Sequence, residues 1–144
     1  MKNILKIVGI AIALVIGSSS YADSAVESLS PQLRELLSKE MQELQEGMKF
    51  ILPAYVSGDL TEISQIANKM KNSYILKQKI THDQKHELMT RLPESFLLSD
   101  KKFHQYAGML EHVAEEKHLE LVGFYYSKLI ESCVNCHSEH ASHR

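Results

Sequence analysis

The sequence predicts an all-α protein, an antiparallel four-helix bundle. Two observations carry that expectation. Apolar residues recur every three or four positions in four separate stretches, and no stretch alternates with the period of two that marks a strand. Two of the connections between these stretches are short and one is long, which suits successive helices lying antiparallel.

The elements follow in chain order. Lys2 and Lys6 precede an apolar run over 7–16, and small residues follow at Ser20 and Ala22. A basic start, a short apolar core and a small-residue cleavage site are the marks of a secretory signal peptide, here residues 1–22. The run is shorter than the roughly 20 apolar residues that a membrane-spanning helix needs, and an uncleaved anchor is the alternative. Residues 23–144 are then expected as one domain, exported to the periplasm, with no stable membrane insertion after cleavage.

Ser30 stands as an N-cap before Pro31, whose missing N–H costs nothing in the first helical position. Leu33, Leu37, Met41, Leu44, Met48, Leu52 and Tyr55 give the first helix its stripe. Pro53 should loosen its last turn, and Ser57-Gly58 should end it. Asp59, with Glu62 three residues on, resembles a capping box for the second helix. Its apolar face is Leu60, Ile63, Ile66, Ala67, Met70 and Tyr74.

Residues 81–98 are less regular and are expected as a long connection. His82 to Leu92 gives it a short polar helix, stopped by Pro93. Such connections commonly pack over something. Ser99 or Asp100 should cap the third long helix, with Phe103, Ala107, Leu110 and Val113/Ala114 as its stripe. A tight turn at Lys117-His118 leads into the fourth. That helix carries Leu119, Val122, Tyr126, Leu129, Ile130, Cys133, Cys136 and His137 on one side.

The formal net charge is −2, and removal of Lys2 and Lys6 with the leader takes it to −4. A mildly acidic chain without a basic cluster is a poor nucleic-acid binder. No nucleophile–base pattern, phosphate loop or second cofactor motif points to an enzyme. Glu115 and Glu116 read as a solvated pair on a helix.

The chemistry is concentrated at Cys133-Val134-Asn135-Cys136-His137, which holds the only two cysteines. Cys-x-x-Cys-His is the attachment signature of c-type haem. Thiols one helical turn apart can each bind a vinyl group of one porphyrin, and the histidine beside them can donate a ring nitrogen to its iron. At i, i+3 and i+4 the three side chains share one helix face. One haem c, with its iron, is therefore the expected cofactor. A disulfide across so short a loop would stabilise little. Zinc held by Cys133, Cys136, His137 and His140 is the rival reading. Otherwise His140 and His143 are expected as a solvated tail. His82, His86, His104, His112 and His118 are scattered, as surface or hydrogen-bonded histidines are.

With the haem motif in the last helix, the layout resembles the cytochrome c′ family and its low-spin relatives over nearly all of the chain after residue 22. The segment Met41-Gln42-Glu43-Leu44-Gln45-Glu46-Gly47-Met48-Lys49, closed by Pro53 and Ser57-Gly58-Asp59, is similar to the first helix of such proteins. Phe103-His104 and Leu129-Ile130-Glu131-Ser132-Cys133 also resemble members of the group. The resemblance implies electron transfer with redox proteins as partners, and it makes a homodimer plausible. It also implies that one side chain of the first helix faces the haem opposite His137. That position falls on Met41, which would be the sixth iron ligand, with Met48 second and Met70 third. In five-coordinate members the position is no ligand, and the open face takes nitric oxide or carbon monoxide. Members often carry an aromatic and then a basic residue where this chain has His140 and Ala141. The departure puts the gas-binding chemistry in doubt and leaves haem attachment untouched.

Overall fold

A computed structural model describes residues 25–73 and 76–141. The expected signal segment, Tyr74 and His143 lie outside the described residues. Among those described, every regular element is helical. A turn of 3-10 helix, Ala25–Ser28, leads into α1 (Pro31–Ser57). Then come α2 (Leu60–Lys71), α3 (Leu76–Lys79), α4 (His82–Arg91), α5 (Glu94–Glu115) and α6 (Leu119–His140). Among the described residues no helix is long and apolar enough to cross a membrane.

Ser30 occupies the N-cap of α1 with Pro31 behind it, but its side chain makes no cap hydrogen bond. Its backbone N–H is instead taken up by Glu87 of α4, at 2.5 Å. α1 ends where Gly58 adopts the left-handed conformation, φ 75°. The N–H of Gly58 donates to Tyr55 and that of Asp59 to Ala54, so the last carbonyls are satisfied. Asp59 then caps α2 by accepting from the Glu62 N–H at 2.9 Å.

The stripe of α1 differs from the expected one at its far end. Leu33, Leu37 and Leu44 are buried as anticipated, but Ile51 and Ala54 continue the buried face while Leu52 is 51 % exposed. Each four-residue step advances about 40° round the helix, so a run of such steps leaves the core side. Met41, Met48 and Tyr55 consequently sit half-buried on its flank.

The third long helix starts at Glu94, five residues before the expected cap. Pro93 supplies the N-cap backbone, and its carbonyl accepts from the N–H groups of Phe96 and Leu97. Ser99 and Asp100, good caps by type, lie inside α5. Burial overrides them, because Phe96 and Leu97 pack on a cluster of Leu29, Leu33, Leu37 and Leu92. The long connection is itself largely helical. Thr81 and Gln84 form a reciprocal capping box at the start of α4.

The main core joins α1, α2, α5 and α6. Ile51, Ile63, Met70, Leu110, Val122 and Leu129 are each fully buried within it. Leu119 and Ile130, expected on the inner stripe of α6, are each 43 % exposed. α2 and α6 both lie along α5, and α1 lies along α2. α1 and α6 meet much less closely, and that separation shapes the site.

Candidate functional site

α1 and α6 touch near one end and part towards the other. Tyr126 Oη donates to the Met48 carbonyl at 3.3 Å. Nearby, Gly123 lets Tyr55 approach so closely that a Cβ there would lie 2.9 Å from the phenol oxygen. From these contacts, going forward along α6 means going backward along α1. Cys133 and His137 therefore lie towards the same end as Met41 and Leu37, which line one cleft with them.

Between these walls lies a cleft of about 840 Å³. α6 contributes Cys133, Cys136 and His137, α1 contributes Met41 and Met48, and α5 contributes Phe96, Asp100 and Phe103. All four residues expected at the site therefore line one cleft. Met48, the second candidate, lines it too. Met70 does not: it is fully buried in the main core, and its carbonyl pairs with His104 Nδ1 at 2.7 Å.

The two thiols are half-buried, and His137 is exposed at the cleft. Burial pushes the Cys133 thiol up from its ordinary value. Burial also raises Cys136, helped by the negative charges of Asp100 and Glu139 and by Cys133. Both groups are thus held as thiols at neutral pH, which opposes disulfide closure by thiolate attack.

His140 departs from the expected solvated tail. Its side chain is only 7 % exposed, and Nε2 is buried with no hydrogen-bond partner among the described residues. Such an orphan costs about 1–3 kcal/mol. α6 runs on to His140, so the last turn is helix rather than loose tail. The Phe96 ring lies against the imidazole, 5.4 Å between centroids. Little in the local pattern signals this, because it puts Phe96 in a connection rather than on α5.

Among the described residues no three His, Cys, Asp or Glu side chains gather as a metal-holding group, so the zinc set is not assembled. The donor set suits haem better. It offers paired thiols with a histidine on one wall and a thioether sulfur on the other, between apolar side chains. The volume falls within the roughly 300–1,000 Å³ usual for cofactor clefts. Comparison with protein-family models, curated proteins and solved structures gave no match.

Proposed function

We propose that this protein is an exported, periplasmic monohaem c-type cytochrome that carries electrons. In this reading it is a four-helix bundle closed round one haem, similar to the methionine-ligated relatives of cytochrome c′. One observation carries the reading: Met41 lines the same cleft as Cys133, Cys136 and His137, from the opposite wall.

Cys133 and Cys136 would hold the porphyrin through thioethers, His137 would bind its iron, and Met41 would take the sixth position. When bound, the haem supplies a one-electron iron couple. The chain does the rest. With Met41 sulfur and His137 nitrogen as its donors, the chain would hold the couple at a raised reduction potential and leave no site for exogenous ligands. Apolar walls from Leu44, Phe103 and Ile130 keep water from the couple. Val134, 61 % exposed within the motif, and Ile130 leave an apolar rim beside the attachment site. A redox partner protein would dock there through the small interface that transient electron transfer uses.

A reduced-minus-oxidised absorption spectrum, with and without carbon monoxide, tests the proposal. Sharp α and β bands that carbon monoxide leaves unchanged are the expected result. A broad spectrum that shifts with the gas would support the five-coordinate, gas-binding alternative. No visible band at all would sink both.

A further inference from the structure

A histidine in the final turn of a surface helix ordinarily meets water. His140 does not: its side chain is 7 % exposed, and its Nε2 has no hydrogen-bond partner among the described residues. Glu139 Oε1 stands 3.7 Å away, beyond hydrogen-bond reach. Buried side-chain nitrogens nearly always find a partner, so an orphan calls for an absent one. The ring lines the cleft with Cys136 and His137.

The absent partner is not the iron. His137 and His140 are three residues apart on one helix face, so they stand side by side and cannot take opposite sides of one metal. Arg34 on α1 lines the same cleft, its guanidinium donating to the Glu27 carbonyl at 3.2 Å, and Asp100 on α5 lines it too. An imidazole N–H and a guanidinium are donors at a largely apolar cleft, and such donors suit oxygen acceptors, carboxylates above all.

We infer that His140 donates a hydrogen bond from its ring to a carboxylate on the acidic edge of the haem, the edge that bears the propionates. The inference rests on the haem reading above. His140 is a positioning residue: its ring N–H fixes which way the acidic edge points.

The test uses the holoprotein. His140→Phe keeps a ring against Phe96 and removes both nitrogens, whereas His140→Gln keeps an N–H donor. The propionate bending band in resonance Raman should shift in the Phe variant and stay near the wild-type position in the Gln variant. The reduction potential should fall in the Phe variant only. An unchanged band in the Phe variant, or an equal shift in both, overturns the inference. Should the Phe variant fail to fold, wild-type NMR decides, on the ferrous protein with carbon monoxide added if the iron is five-coordinate. A His140 ring N–H with an Overhauser contact to propionate methylene protons supports the bond, and its absence overturns it. A wild-type protein without haem absorption overturns the functional reading itself, which is a separate outcome.

Discussion

Met41 packs half-buried between two apolar clusters, one within the main core and one beneath α4 and the start of α5. A flexible thioether suits that junction, and it also suits an iron. The two roles separate by mutation. Met41→Ala should convert a sharp low-spin spectrum into a broad one that responds to carbon monoxide, while Met48→Ala should leave it sharp. Retention of the low-spin bands in Met41→Ala would remove Met41 as the ligand. Glu111 offers a test of a different kind. Burial pushes its carboxyl up, but hydrogen bonds from Lys71 and Asn68, with the charge of Lys71, outweigh that and hold it below 4.5. A carboxyl lowered in the folded state stabilises the fold above its unfolded value and loses that contribution as pH falls below it. Glu111→Gln should therefore cost on the order of 1 kcal/mol at pH 7, a modest figure because solvent reaches Lys71. The difference from wild type should shrink as pH falls below the ordinary carboxylate range in urea titrations. A loss that does not change with pH would mean that packing, not charge, is the cause.

Two helix ends use the same device with different residues. Gly58 ends α1 at φ 75° and Lys117 ends α5 at φ 61°. In each, the next N–H reaches five residues back, from Asp59 to Ala54 and from His118 to Val113, both at 2.8 Å. A Cβ at Gly58 would meet nothing within 4 Å, so Gly58→Ala tests backbone conformation alone. It should cost about 1 kcal/mol in denaturant unfolding, while Lys117→Gly should stabilise by up to about 1 kcal/mol. No change in either would mean that these turns relax. A third corner is held differently. Ser73, at φ 59°, donates its hydroxyl to Glu40 at 2.8 Å, and the same buried carboxylate accepts from the Leu76 N–H. Glu40 thus ties α1 to the corner between α2 and α3. It lies on the buried stripe of α1, where a polar residue gave no periodic signal.

The whole molecule divides into a packed part and an open part. α1, α2, α5 and α6 share a continuous apolar core, whereas the far part of the α1–α6 interface is an open cleft with largely apolar walls. A chain with Cys133→Ala and Cys136→Ala, unable to attach haem covalently, should keep its helical far-UV signal through that core. It should bind a hydrophobic dye at the cleft and melt lower by on the order of 10 °C, the loss of a few kcal/mol in a domain of this size. Equal melting temperatures for the two chains would speak against haem as part of the fold.

The sequence alone determined the all-helical class, most of the helix bounds and the Cys-x-x-Cys-His motif. These rest on local signals: apolar periodicity, Pro and Gly at helix ends, and five adjacent residues. It anticipated a short helix over His82 to Leu92, where α4 lies, but missed the start of α5 at Glu94 and the burial of Glu40. The Thr81-x-x-Gln84 cap was readable, but the contacts of Phe96 and Glu40 come from residues far apart in the chain. The four expected site residues lie at 41 and 133–137, and only the tertiary structure brings them to one cleft. Their meeting depends on how α1 and α6 diverge beyond Tyr126 and Met48, which no local pattern encodes. The burial of His140 depends likewise on Phe96, which reaches it only because α5 begins early.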